Sequence, residues 1–202
     1  MIDFIKRFVV WLRRVRYSRG FGVQSPWAYR FIRYVVNEHY PYYKYDHLAE
    51  QVYGIDKTTR KLCKFYFRLS NYQQAHTFVD CYPTSSCYKI YVDAGCQKAN
   101  YHRITEATSE EELIHLFSNI GVYSMLRVPL VANYRTIVDK ALDHLPSSSV
   151  LIIENIKRDK ETQKYWSELI SDSRTGVSFD LYYCGVLFLN NDMVKQSYIV
   201  NF

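Results

Sequence analysis

Glycine is scarce in this 202-residue chain, with only seven in all. That is about half the usual share. Backbone that approaches a phosphate closely, or takes positive φ, relies on glycine, so the shortage argues against a Gly-rich phosphate cradle. The five cysteines (Cys63, Cys81, Cys87, Cys96, Cys184) are an odd count with no CxxC and no zinc-type spacing. Reduced thiols in a cytosolic protein are expected. The six histidines show no metal spacing either. Ser85 and Ser86 lack flanking glycines and no G-x-S-x-G elbow occurs, so serine hydrolysis has no support. Apolar runs are short, and none approaches the ~20 residues that span a bilayer. The run at 8–12 meets arginines at once, so no signal peptide is expected. There is no internal repeat and no low-complexity linker.

What is present suits a folded domain. The chain is 48% hydrophobic, ample for one core. Its 20 tyrosines predict many rings packed near the surface with hydroxyls seeking polar partners. The net charge is +6, and much of it lies within the first 33 residues, where Lys6, Arg7, Arg13, Arg14, Arg16, Arg19, Arg30 and Arg33 face only Asp3. Phe4, Phe8, Trp11, Leu12 and Val15 recur at helical spacing among these cations, which predicts an amphipathic basic helix over roughly the first eighteen residues. Its apolar side is expected to pack on its own domain or on a second copy of the chain. A protein partner and peripheral membrane contact remain the other readings. Nucleic acid has charge in its favour but no recognisable motif.

Ser25-Pro26 supplies an N-cap and a first-turn proline for a second helix to about Glu38. The aromatic stretch at 40–45 reads as an irregular loop over the core, with base stacking as the functional alternative. Asp56 caps a helix to about Gln74 with Leu62, Phe65, Leu69 and Tyr72 on one stripe. A short strand at 77–80 ends in Asp80, and Pro-Thr-Ser-Ser leads toward a segment at 87–92 that suits helix or strand. A strand at 101–105 ends in Glu106. Ser109 and Glu112 form a capping box, and the helix they open runs to about Asn119. A third strand at 122–128 and a helix at 133–145 follow. Val150-Leu151-Ile152-Ile153 has no alternation, as a central parallel strand covered on both faces requires. Asp159 caps a helix with Tyr165, Trp166, Leu169 and Ile170 inward. Segments at 177–181, 185–189 and 197–200, with a turn at 190–192, read as a terminal hairpin. The alternation predicts an α/β domain: a Rossmann-like, mostly parallel sheet with helices on both faces and a C-terminal antiparallel hairpin. Residues 1–55 form an N-terminal helical extension and 56–202 the α/β domain.

This order of elements is similar to that of the class I S-adenosylmethionine-dependent methyltransferases. The tail at 180–202, the Gly22-Val23-Gln24-Ser25-Pro26 stretch and the strand at 150–156 resemble a bacterial branch of that family. The resemblance implies S-adenosylmethionine as cofactor, lying across Asp80, Tyr82 and Ser86, with its ribose on Glu106. Tyr82 and Ser86 stand where the family places glycines. Glu154 and Asn155 resemble an acid–amide pair that lines the acceptor site and helps ligate magnesium in some members. The further carboxylate expected around Met125-Leu126-Arg127 is missing, so no metal site is expected. The stretch between Glu106 and Val150 has room for about one strand fewer than the family pattern. The implied activity is methyl transfer to an unidentified acceptor. The alternative is a non-catalytic scaffold that has kept the fold and binds a protein or anionic partner through its basic helix.

Overall fold

The computed structural model describes residues 2–190 and 192–202, with side chains from Phe8 onward. The Phe4, Lys6 and Arg7 side chains and Asn191 of the predicted turn lie outside the described residues. Seven strands form one sheet: β1 (Thr77–Cys81), β2 (Asn100–Ile104), β3 (Ser124–Pro129), β4 (Val150–Glu154), β5 (Ser178–Asp180), β6 (Cys184–Phe188) and β7 (Ser197–Ile199). Their spatial order is β2-β1-β3-β4-β6-β5-β7. The first four are mutually parallel, β6 runs antiparallel between β4 and β5, and β7 lies parallel to β5. The terminal hairpin is therefore β5–β6. The segment at 197–200 does not turn back on β6 as the sequence suggested, because both edges of β6 are already paired. It takes the open edge of β5, where Ser178 N donates to Gln196 O and Val200 N to Asp180 O, each at 2.9 Å.

In the N-terminal segment, α1 (Ile2–Arg13) ends earlier than the expected eighteen residues, in an irregular turn over Val15–Gly20. The break lets Arg14 reach the sheet edge. Its Nη2 lies 2.7 Å from Asp180 Oδ1, and its Nη1 donates to the Asp180 and Val200 carbonyls at 3.0 and 3.1 Å. The segment is thus anchored to its own chain, yet Phe8 and Leu12 each remain 54% exposed. The Ser25 side chain caps α2 (Pro26–Phe31), which runs into a single π turn at Ile32–Val36. The stretch at 40–45 is irregular only in part, because Lys44 opens a helix, α3 (Lys44–Gln51). Tyr42 and Tyr45 lay their rings against Phe67, each centroid pair 5.3 Å apart, while Tyr40 and Tyr43 stay exposed.

Asp56 caps α4 (Lys57–Gln73) by accepting from Thr58 N and Thr59 N. Beyond the loop, α5 (Cys87–Gly95) follows β1 as a helix. These two helices, with α2 and α3, cover one sheet face, where Phe31, Ile32 and Val35 share a core with Phe78, Val150 and Phe179. Gly95 permits the close approach of α5 to α4, since a Cβ there would meet Phe67 O and Ser70 Oγ at 2.2 Å. The other face carries α6 (Glu110–Asn119), α7 (Tyr134–His144) and α8 (Lys160–Ser171), packed on Val79, Leu126, Leu151 and Ile153. Both predicted capping motifs are formed, Ser109 with Glu112 on α6 and Asp159 with Thr162 on α8. Among the described residues, no helix is long and apolar enough to cross a membrane.

Candidate cofactor site

The chain steps from β1 outward to β2, then crosses back to set β3 on the other side of β1. In open α/β sheets, ligands bind beyond the strand carboxyl ends at such a switch point. Strand alternation puts Asp80, Arg127 and Glu154 on the face covered by α4 and α5, in step with Phe78, Met125 and Ile152. Asp80 and Arg127 are register partners across β1 and β3, and Glu154 ends the next strand.

Arg127 bridges the two acids. Its Nη1 lies 2.7 Å from Asp80 Oδ1 and also donates to the Cys81 carbonyl at 3.2 Å, while its Nη2 lies 2.7 Å from Glu154 Oε2. Tyr66 of α4 donates its hydroxyl to Glu154 Oε1, and Tyr101 of β2 donates to Asp80 Oδ2 at 3.4 Å. The Tyr88 ring of α5 backs the guanidinium, with its centroid 4.3 Å from Cζ. Asp80 is 0% exposed, and Arg127 and Glu154 are each 6% exposed. Three charges in so dry a place persist only because each meets an opposite charge and further hydrogen bonds.

The electrostatics follow from that burial. Burial lifts the Asp80 carboxyl above its usual range, with Arg127 opposing. Burial also works against the Arg127 charge, but Glu154 and then Asp80 outweigh it, so the guanidinium is held more firmly protonated than usual. Burial and the Glu154 charge push the Tyr66 phenol well up. Burial and Asp80 push Tyr101 to about 12. Beside the cluster, Cys87 opens α5. Hydrogen bonding by Cys63, and by Ser85 Oγ at 3.0 Å, outweighs burial and brings its thiol down to about 6.

The remaining sequence candidates lie around this cluster rather than in it. Tyr82 holds a left-handed φ of 48° and donates its N–H to Ile104 O at 2.9 Å, while its side chain packs with the core of the opposite face. Ser86 is the N-cap residue of α5 but makes no capping bond, and it is exposed. Glu106 is exposed past the end of β2, close enough to Tyr82 to raise its phenol slightly, behind burial as the main cause. Asn155 has φ 66° and is exposed, its N–H donating to Tyr183 O at 3.1 Å, whereas Glu154 is buried. Among the described residues, no group of three His, Cys, Asp or Glu is placed to hold a metal ion. Arg127, Tyr66, Tyr88 and Cys87 were not predicted. Arg127 did leave a signal, an arginine inside the apolar run Met-Leu-Arg-Val, since buried arginines require partners.

No protein-family model matches the chain, and no curated protein matches it in sequence. Its backbone does match solved structures. One is the MycE methyltransferase of the mycinamycin biosynthetic pathway, solved with magnesium and S-adenosylhomocysteine, with a TM-score of 0.52 at 9% identity. That match covers 74% of this chain and 50% of the other, so the chain spans about half of MycE. Another is a protein of Klebsiella pneumoniae assigned as an O-methyltransferase, with a TM-score of 0.50 at 9% identity, covering 77% of this chain and 94% of that one. The chain has the class I methyltransferase fold. The methionine end of S-adenosylmethionine carries an ammonium, a sulfonium and a carboxylate, and the two acids at the switch point, Asp80 and Glu154, are both paired with Arg127.

Proposed function

We propose that this chain is a methyltransferase-like protein that serves as a non-catalytic scaffold, its cofactor site closed from within. One observation carries the reading: the Arg127 guanidinium stands between Asp80 and Glu154 at the switch point, within 2.7 Å of both. A cofactor cation placed there meets a like charge instead of two free acids. Displacing Arg127 leaves a buried charge without its partners, a loss of about 3–5 kcal/mol that binding has to offset. Loop chemistry supports the same reading, because Tyr82 and Ser86 take places where close backbone approach calls for glycine.

The test is calorimetric titration of the purified wild type with S-adenosylmethionine and S-adenosylhomocysteine, beside Tyr82→Gly. Neither ligand should give saturable heat with the wild type. Saturable binding in the micromolar range overturns the proposal and restores the enzyme reading, with Glu106 on the ribose. Binding by Tyr82→Gly alone would place the block in the loop and overturn Arg127 as its cause.

A further inference from the structure

The apolar face of α1 has no place in the interior of the fold. Phe8, Trp11 and Leu12 recur at i, i+3 and i+4 and so share one side of the helix, where they are 54%, 50% and 54% exposed. The Phe8 and Trp11 rings stack with centroids 6.3 Å apart, which makes the surface continuous. Among the described residues, no side chain of α1 joins either hydrophobic core. Contiguous exposed apolar surface of this kind ordinarily meets a partner. The helix is also held so that this face does not turn inward. Arg14, immediately after it, pairs with Asp180 at 2.7 Å, and Asn201 Nδ2 donates to the Trp11 carbonyl at 3.3 Å. Rotating the helix breaks both contacts.

Charge decides what covers the face. From residue 4 to residue 37 the chain has no acid, while eight residues are Lys or Arg. Arg13 and Arg16 are exposed, the latter over the neutral Tyr17 ring. Asp180, which Arg14 reaches, is shared with Lys157. Glu38, the first acid after this stretch, accepts from Tyr40 N at 2.8 Å in its own loop. A second copy seated on the face brings these cations against their own kind, which repels. A bilayer of anionic lipid offers the opposite charge with apolar volume just beneath it.

We propose that α1 docks this protein on an anionic lipid bilayer, with Phe8, Trp11 and Leu12 in the headgroup boundary and Arg13 and Arg16 on lipid phosphates. The helix lies on the membrane and does not span it. Its 12 residues reach ~18 Å, against a hydrocarbon core of ~30 Å. The inference goes beyond the scaffold reading and stands whether or not S-adenosylmethionine binds.

The probes are vesicles of phosphatidylcholine alone and vesicles in which about one third is phosphatidylglycerol, each mixed with the full chain and sedimented. The wild type should bind anionic vesicles about tenfold or more tightly than neutral ones and release them as salt rises, since each cation near such a surface is worth about fivefold. Phe8→Ser with Leu12→Ser, both at half-exposed positions, should abolish binding and leave the urea melt unchanged. Arg13→Gln with Arg16→Gln should weaken binding about tenfold or more. Fluorescence reads entry into the boundary. Trp166 is 2% exposed and Trp27 is stacked on Phe31, so a blue shift on anionic vesicles should come from Trp11 and vanish in Trp11→Phe.

The proposal is overturned if the wild type ignores anionic vesicles, binds neutral ones equally well, or binds unchanged without Phe8 and Leu12. A dimer that the Phe8→Ser, Leu12→Ser variant dissolves, in a wild type that ignores vesicles, gives the face to a second copy and overturns it too. Should that variant fail to fold, the lipid preference and salt response of the wild type decide the matter. Saturating S-adenosylhomocysteine should leave vesicle binding unchanged, which separates this outcome from that of the cofactor titration.

Discussion

Replacing Arg127 with methionine keeps an unbranched chain of similar reach and removes the charge. The wild-type guanidinium touches Asp80, Glu154 and the Cys81 carbonyl within 3.2 Å and covers the Tyr88 ring. Without it, two buried carboxylates face each other uncompensated, and removing one partner of a buried pair typically costs about 3–5 kcal/mol. An independent bound agrees. A carboxyl with an ordinary pKa near 4 escapes the penalty by taking a proton, which at about pH 7 costs ~4 kcal/mol per group at 1.36 kcal/mol per unit. The bound falls to ~1.4 kcal/mol at about pH 5, so the deficit must shrink on acidification. The sign is consistent with the wild-type shift. Burial already raises the Asp80 carboxyl, so its contribution is fully present below about pH 4 and is lost as pH rises through the folded value. Losing Arg127 moves that folded value further up and extends the loss toward neutrality. Urea melts of wild type and Arg127→Met at about pH 7 and pH 5 read this directly. Adding Asp80→Asn and Glu154→Gln to the variant should recover most of the stability, because no charge is then left unpaired. A penalty below about 1 kcal/mol at neutral pH, or one of equal size at both pH values, refutes the idea that the three residues form one buried charge cluster.

Two further outcomes follow from the helices that hold the cluster. Cys87 is lowered to about 6 by hydrogen bonding from Cys63 and Ser85, so ultraviolet titration should show a thiolate forming near that pH and absent in Cys87→Ser. A depressed thiol stabilises the fold above its unfolded value of about 8.5 and loses that contribution as pH falls through the folded one. The stability difference between wild type and Cys87→Ser should therefore grow from about pH 6 to 8.5. Gly95→Ala forces a methyl to 2.2 Å from the Phe67 carbonyl and Ser70 Oγ, and the resulting shift of α5 should cost about 1–3 kcal/mol in a denaturant melt. A neutral effect would mean that α4 and α5 are not packed as described.

Much of the architecture was legible because its signals are local. The run at 150–153 is apolar without alternation and became the central β4, while Asp56, Ser109 and Asp159 each marked the start of a helix. The failures lay where long-range pairing decides. Lys44 begins α3 inside a Tyr-Pro-Tyr stretch that carries turn chemistry, and its helix is held by Tyr45 packing on Phe67 rather than by propensity. The parallel placement of β7 depends on which sheet edge is open, and strand composition does not record that. At the site, Asp80 and Glu154 were readable as acids at strand ends. Their joint fate was not, because Arg127 stands 47 positions from one and 27 from the other.

The scarcity of glycine and the buried arginine bear on the same physical problem. Asp80 and Glu154 lie at the carboxyl ends of β1 and β4, and acids buried there need a cationic partner. Here the cation is built into β3, in register with Asp80. A loop whose backbone meets no ligand tolerates a bulky residue, as the proposed closed site requires of Tyr82 at φ 48°. Left-handed backbone at a non-glycine residue costs about 1–2 kcal/mol. The Tyr82 N–H bond to Ile104 O and its packing on the second core are the compensating contacts. Missing glycines alone would describe a damaged site. Together with a fully partnered Asp80 and Glu154, they are what the proposed closed site requires.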